Sequence, residues 1–254
     1  MDKLVFTSNS TIKEMATARQ VLVNDLANVS TVGFKSSYDV ALQSVKVQGS
    51  GFDTRVQAQA VARDLIRLEP GAIMATGRNL DVALTGPGAV LTVQSATGEI
   101  AFTRRGDLKI NIQGQLETGN GHLVLGEGGP ITIPPGLQVS INTDGSIYAR
   151  DPNQVGAAPS VLIDTLRLRD ASATPLSRRT DGLFAVADKP AGTDIQNGGD
   201  APKVIPQALE GSNVNAIEAM VRLMDHSRSF ETQMKIIKET KTLDESGSSM
   251  MKNA

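Results

Sequence analysis

The chain has 254 residues, 40% of them hydrophobic, and its formal net charge is −2. This composition supplies one large or two modest hydrophobic cores, without the basic excess that would draw the protein to nucleic acid or anionic lipid. Aromatic residues make up only 3%, so surfaces that stack bases or sugars are hard to build. The absence of cysteine excludes disulfides, thiolate metal sites and a thiol nucleophile.

The opening residues contain neither a long apolar segment nor a small-residue cleavage site, so we expect no cleaved signal peptide. No apolar run approaches the ~18 residues that indicate a membrane span, and direct membrane insertion is not expected. Composition alone therefore indicates a cytoplasmic protein, unless export uses a signal that is not cleaved.

The first predicted element is an N-terminal helix, within residues 1–33, that carries one apolar stripe. The stripe residues follow steps of three and four, with Arg19 interrupting, a spacing typical of a coiled-coil seam. They are Ile12, Met15, Leu22, Leu26 and Val29. Gly33 is expected to end this helix in the left-handed conformation, with Phe34 covering the last turn. Residues 34–76 are then predicted to form an arm of strands or extended chain.

Glycine, proline and β-branched residues dominate the middle of the chain, residues 77–206. Asp144-Gly145 and Asn120-Gly121 each separate two strand-like segments, which predicts two β-hairpins. The stretches around Leu168 and Phe184 have the pattern of further strands. We therefore predict a central all-β domain.

A second long helix is predicted within residues 207–254, because neither glycine nor proline occurs between Asn213 and Leu243. Asn215 and Glu218 form a start resembling a capping box. Its apolar stripe comprises Ile217, Val221, Met224, Phe230, Met234 and Ile237. The predicted fold is mainly β, with long N- and C-terminal helices that pair as a coiled coil, a central all-β domain and an extended arm.

The segment Gly33-Phe34-Lys35-Ser36 has the residue types of a phosphate-binding loop but not its spacing. A P-loop follows a strand and places lysine directly after its second glycine, and neither condition is met. The glycine-rich stretches near Gly86 and Gly128 complete no dinucleotide motif. Two isolated histidines, His122 and His226, predict no metal site. We expect no catalytic residues, no cofactor and no metal, although scattered carboxylates leave a glycosidase pair open.

Four segments, in order, resemble motifs of the bacterial flagellar rod and hook family. The segment from Asn24 to Lys35 resembles the N-terminal signature, N-x-L-A-N-x-x-T-x-G-F-K. Leu80–Gly88 resembles an L-D-V-A-I-x-G-x-G segment, and Phe102–Leu108 resembles an aromatic-T-R-x-G-[DS] segment. Leu209–Asn215, followed by Arg228–Glu231, resembles the C-terminal signature. An aromatic pair usual after G-x-G is replaced here by Ala89, Val90 and Leu91.

This resemblance implies a structural subunit of the flagellar basal-body rod, with the proximal rod as the better match and a distal rod or hook-type subunit as the alternative. It implies terminal helices that form an inner assembly layer and join other rod subunits, proximal and distal, in a helical assembly. It also implies passage through the flagellar type III export apparatus and a periplasmic position in the drive shaft that carries torque. Both helix stripes, with Gly33 and Phe34, are then the expected assembly interface.

Two other classes stay open from the sequence. A secreted β-rich enzyme acting on glycans would need convergent carboxylates in a cleft. A soluble adaptor or chaperone would use its helices for binding and would remain in the cytoplasm.

Overall fold

The computed structural model describes residues 2–37, 41–46, 56–61, 65–152, 160–196 and 202–252. Parts of the predicted arm, residues 38–40, 47–55 and 62–64, lie outside these ranges. The chain divides into two compact units. The helical unit contains both terminal helices and a strand pair, and the β unit contains residues 28–37 together with the described residues from 65 to 214.

The helical unit consists of α1 (Asp2–Ala27), α2 (Ala216–Lys252) and an antiparallel pair formed by β1 (Ala41–Lys46) and β2 (Val56–Val61). Both β2 and α2 contact α1. The start of α2 has the predicted cap. Asn215 Oδ1 accepts hydrogen bonds from the backbone N–H groups of Ile217 at 3.0 Å and Glu218 at 3.3 Å. These bonds satisfy two of the donors that a helix N-terminus leaves unpaired.

The predicted coiled coil of two long terminal helices is wrong. With 26 residues against 37, α1 is much the shorter helix, and it also packs against β2. The predicted seam of α2 is largely exposed, with Ile217 76%, Val221 46%, Met224 54%, Phe230 40% and Met234 46% accessible. The more buried positions of α2 lie on another face that contains only one member of the predicted seam, Ile237. They include Ala219, Leu223, Gln233, Ile237 and Thr240. Periodicity reveals an apolar face, but it does not show whether that face meets a partner within the same chain.

The β unit contains sixteen short strands, all in antiparallel pairs. They are β3 (Ile73–Ala75), β4 (Val82–Thr85), β5 (Ala89–Gln94), β6 (Ile100–Thr103), β7 (Leu108–Ile110), β8 (Leu116–Thr118), β9 (Leu123–Gly126), β10 (Gly129–Pro130), β11 (Gln138–Ile141), β12 (Ser146–Arg150), β13 (Val161–Thr165), β14 (Leu168–Asp170), β15 (Leu176–Arg178), β16 (Phe184–Val186), β17 (Lys203–Pro206) and β18 (Ala208–Glu210).

A nine-stranded sheet forms the centre of this unit, in the order β15-β16-β6-β5-β9-β8-β7, with β10 beside β9 and β14 beside β5. A second sheet contains β11, β12 and β13. Two further pairs join distant parts of the chain, because β17 pairs with β4 and β18 pairs with β3. The last two strands of the β unit therefore pair with its first two strands.

Both predicted hairpins are confirmed. Asp144-Gly145 lies in the turn between β11 and β12, and Asn120-Gly121 joins β8 to β9. In the first turn, Asp144 accepts hydrogen bonds from the Ser146 backbone N–H at 3.0 Å and from its hydroxyl at 2.8 Å. These bonds lower the pKa of Asp144 below its ordinary value, because they favour the charged carboxylate.

The hydrophobic core of the β unit lies mainly between the two larger sheets. Fully buried aliphatic residues such as Leu91, Leu108, Leu116, Val124 and Ile147 form its main cluster. A smaller cluster around Phe102, Leu176 and Phe184 packs near the β15 edge. Because this core is complete without the terminal helices, the apolar face of α2 is not needed to stabilise it.

Candidate assembly interface

Three charged side chains meet in the interior of the β unit. Lys35 and Arg104 are 0% exposed and Glu210 is 1% exposed. Lys35 Nζ donates a hydrogen bond to Glu210 Oε1 at 2.6 Å, and Arg104 Nε donates to Glu210 Oε2 at 2.8 Å. Glu210 Oε1 also accepts from the Gly71 backbone N–H at 2.8 Å. One carboxylate therefore joins three segments that are far apart in the sequence.

Arg104 places its remaining donors on backbone carbonyls. Its Nη1 donates to the oxygens of Gly86 at 2.9 Å, Pro87 at 3.0 Å and Ala89 at 3.0 Å. Its Nη2 donates to Leu84 O at 3.3 Å. The Gly86-Pro87-Gly88 stretch is thus a turn whose carbonyls hold a buried guanidinium, and a planar, always charged group suits this task.

The cluster contains two cations and one carboxylate, so its charges are not balanced. Burial lowers the pKa of Lys35 below its ordinary value. The hydrogen bond to Glu210 opposes this effect, whereas the positive charge of Arg104 adds to it. Lys35 Nζ also donates to Glu69 O at 2.7 Å. A buried ammonium needs such partners, since an unpaired charge in the interior is strongly destabilising.

Gly33 brings the N-terminal segment close to Arg104. It has a φ of +67°, as predicted, but α1 already ends at Ala27. A side chain at this position would place Cβ 2.5 Å from the carbonyl carbon of Arg104. The Gly33 N–H donates to Glu210 O at 2.7 Å. Glycine is therefore required here because two backbones approach each other closely.

The neighbours of Lys35 in the sequence, Phe34 and Ser36, also contact distant parts of the β unit. The Arg178 guanidinium lies 4.4 Å from the centre of the Phe34 ring, a cation–π contact. Asn213 Oδ1 accepts from the Ser36 N–H at 2.7 Å, and Asn213 Nδ2 donates to Arg67 O at 3.0 Å. The segment from Gly33 to Ser36 is therefore fixed by hydrogen bonds to Glu210 and Asn213.

Lys35, Arg104 and Glu210 lie within three of the four family-like motifs, but no sequence pattern predicted that they meet. The available signal was a charged residue inside each glycine-containing or apolar motif, although two of the motifs contain other charges as well. Such a charge is either functional or buried with a partner, and only the fold shows which partner it has.

The residues predicted to carry assembly fall into two groups. In α1, Leu22 is buried, and Ile12, Met15 and Leu26 are half-buried. Val29, Gly33 and Phe34 lie in the β unit, where Gly33 is buried. On α2, only Ile237 of the predicted set is half-buried, while the other five positions are exposed. The structure thus leaves several large apolar side chains of α2 exposed, and we call six of them together the α2 stripe. It comprises Ile217, Met220, Val221, Met224, Phe230 and Met234.

A groove of about 700 Å³ at α2 is lined by the apolar residues Phe230, Met234 and Ile237 and by Glu231, Thr232, Lys235, Lys238 and Lys241. Within the described ranges, no group of three or more histidine or acidic side chains is arranged to hold a metal ion. Nor is any described helix both long and apolar enough to cross a membrane. The prominent chemical feature of this helix is apolar surface.

Two segments of the chain match families of flagellar axial proteins. Residues 83–149 match the family described as the flagellar hook protein FlgE/F/G D1 domain. Residues 205–250 match the family described as the flagellar basal body rod FlgEFG protein C-terminal. The first match covers much of the central sheets, and the second covers β18, Glu210 and most of α2. The fold is accordingly that of a flagellar rod or hook protein.

Comparison with full-length relatives distinguishes between the members of this class. The chain is 37% identical over 243 residues to the flagellar basal-body rod protein FlgF of Salmonella typhimurium, covering 93% of both chains. It is 36% identical over 241 residues to FlgF of Escherichia coli, again covering 93% of both. FlgG of Agrobacterium fabrum is 30% identical over 254 residues, covering 92% of both.

The chain therefore belongs to the family of flagellar basal-body rod proteins, and it is a structural subunit of the rod. A distal rod or hook subunit is not the better assignment, because the FlgF proteins share more identical residues with this chain than the FlgG protein does.

Proposed function

We propose that this rod subunit joins other rod subunits, proximal and distal, through the α2 stripe and the neighbouring surface of α1. The observation that carries the proposal is the exposure of 40% to 76% at five of the six apolar positions predicted on α2. Four of the exposed residues, Ile217, Met220, Val221 and Met224, have the spacing of one side of a helix. Apolar side chains exposed together in this way favour an interaction site.

The physical driving force is burial of apolar area, worth about 25 cal/mol per Å² removed from water. A continuous shaft requires contacts in which the two partners use different surfaces, because such heterologous contacts do not close into a ring. A helix face left open within the subunit can receive a neighbour in this way. The helical unit would then serve assembly and the β unit would be the outer domain, and this unit includes residues 34–37 and 65–76 of the predicted arm.

The finer parts of the proposal follow from the same role. The subunit would pass through the flagellar type III export apparatus without a cleaved signal and take its place in the periplasmic part of the basal body. There it would transmit torque towards the hook, with no catalytic activity, cofactor, nucleic acid or membrane insertion. The basal-body rod names of its relatives support this location and a mechanical role.

Substitution on α2 tests the interface. Met224→Asp places a charge in the middle of the α2 stripe, and Ser229→Asp places the same charge at an exposed polar position of the same helix. We expect basal bodies purified from cells that make only the Met224→Asp protein to lack it, since burying an unpaired carboxylate costs several kcal/mol. The Ser229→Asp protein should be incorporated. Equal incorporation of both proteins would refute the proposed interface.

The contribution of α1 is tested in the same assay with Leu26→Asp. We expect this variant to be lost from basal bodies while its β unit keeps the thermal transition of the wild type, because Leu26 belongs to the helical unit. Normal incorporation of the Leu26→Asp protein would remove α1 from the interface.

A further inference from the structure

Sulfur in this chain is concentrated on the terminal segments. The chain has eight methionines and no cysteine, and Met74 is the only methionine between residues 16 and 219. Five of them lie in α2, and three of these, which we call the α2 methionines, are largely exposed, with Met220 52%, Met224 54% and Met234 46% accessible. Met224 follows Met220 by one helical turn, and Met234 lies about four turns beyond Met220, so all three share one side of the helix.

We propose that Met220, Met224 and Met234 form a sulfoxidation site that controls whether the subunit can assemble. The inference rests on the proposed assembly role of the α2 stripe. The oxidant that reacts with these methionines belongs to the peroxide class. The sulfur lone pair attacks one peroxide oxygen, the O–O bond breaks and an S–O bond forms. Methionine loses two electrons, and hydrogen peroxide is reduced to water.

The physical consequence follows from the position of the sulfur atoms. A thioether is apolar and adapts to irregular surfaces, whereas a sulfoxide is polar and must lose its hydration when it is buried. Three sulfoxides would place three polar groups in the centre of the α2 stripe. An oxidised subunit is then rejected by the growing rod, and a subunit already packed among its neighbours is shielded from the oxidant.

Met74 provides an internal control. Its side chain is 51% exposed, close to the accessibility of the three α2 methionines, but it lies on β3 in the β unit. Oxidation at Met74 should therefore proceed equally well and leave assembly unchanged.

The chemistry is tested by treating purified full-length protein and purified basal bodies with hydrogen peroxide and mapping sulfoxides by mass spectrometry. In the free protein we expect all three α2 methionines and Met74 to react. In basal bodies the three α2 methionines should react at least about tenfold more slowly than in the free protein, because accessibility governs thioether oxidation. Equal rates in the free and assembled protein would overturn the proposal.

The consequence for assembly is tested without oxidant. Glutamine imitates the polar sulfoxide in an unbranched side chain and keeps good helix propensity, while leucine keeps the apolar surface. We expect the triple Gln variant M220Q/M224Q/M234Q to fall at least about tenfold in basal bodies, as polar groups in the α2 stripe must be desolvated. The triple Leu variant M220L/M224L/M234L and Met74→Gln should be incorporated normally.

Normal incorporation of the triple Gln variant would sink the sulfoxidation proposal. The proposed interface fails by a different result, incorporation of the Met224→Asp protein, so the two failures are distinguishable. Circular dichroism of each purified variant checks that α2 is still helical.

Discussion

Replacing Glu210 by glutamine removes the single negative charge of the buried ion cluster. The amide keeps the size of the side chain, but Lys35 and Arg104 then remain in the interior, 0% exposed, without an anion. Lys35 and Arg104 donate to the two carboxylate oxygens at 2.6 Å and 2.8 Å, and glutamine can replace only one of these acceptors, so its NH2 group faces the other cation. Breaking a buried pair in this way costs about 3–5 kcal/mol.

This loss is a large part of the free energy of unfolding, which is about 5–15 kcal/mol for a typical domain. For a domain of this size, 1 kcal/mol lowers the melting temperature by about 2–4 °C. We therefore expect Glu210→Gln to lower the melting temperature of the β unit by about 6–20 °C.

The assay is thermal unfolding followed by circular dichroism in the strand region. Glu218→Gln is the matched control, because Glu218 pairs with Arg222 at 2.7 Å on the exposed surface of α2. That pair is worth only about 0.2–0.5 kcal/mol. A shift of less than about 2 °C for Glu210→Gln, or one equal to the control shift, would refute the reasoning that the cluster depends on this carboxylate.

Three further predictions concern the same unit. Lys35→Met should cost less than Glu210→Gln, since Arg104 still pairs with Glu210. Burial lowers the pKa of Lys35 below 10.5, so the unfolded chain binds more protons between the lowered value and 10.5. Wild-type stability should therefore rise relative to Lys35→Met as the pH increases through that window, which urea titrations at several pH values would show. A stability difference between the two proteins that does not change with pH would contradict this prediction. Gly33→Ala should cost more than Gly77→Ala in the same melts, because both glycines have positive φ but a Cβ at Gly77 meets nothing within 4 Å; equal losses would argue against the close approach. Burial opposes ionisation of Asp194, but hydrogen bonds from Arg169 and Arg167 prevail and lower its pKa below 3.8. The stability contributed by ionised Asp194 is present above pH 3.8 and is lost as the pH falls through the lowered pKa. Asp194→Asn should therefore weaken the acid dependence of unfolding. An unchanged acid midpoint would count against this prediction.

Local features of the fold could be predicted from the sequence. The Asp144-Gly145 and Asn120-Gly121 turns and the Asn215 cap depend on residues within a few positions of each other. Such signals act over short distances, so a single sequence carries them in full.

The ion cluster could not be predicted from local patterns. Lys35 and Glu210 are separated by 175 residues, and Arg104 and Glu210 by 106. Their meeting depends on how β18 and the segment after α1 return to the central sheet, which no local pattern specifies. Gly33 shows the same limit. Its positive φ was predicted, but for the end of a helix, whereas the structure requires it for the contact with the Arg104 backbone.

The coiled-coil prediction failed for a related reason. Periodicity predicts apolar positions on α2, but it does not show whether they face the same chain or another one. In this subunit five of the six predicted positions are exposed, and the assembly proposal depends on that exposure.

The most direct test of the account is quantitative mass spectrometry of purified basal bodies from cells that produce the wild-type protein or Met224→Asp at equal levels. We predict that the wild-type chain is recovered with the other rod proteins and that Met224→Asp is absent while the other basal-body components remain. Recovery of Met224→Asp at the wild-type level, or absence of the wild-type chain from basal bodies that contain other rod proteins, would contradict the account.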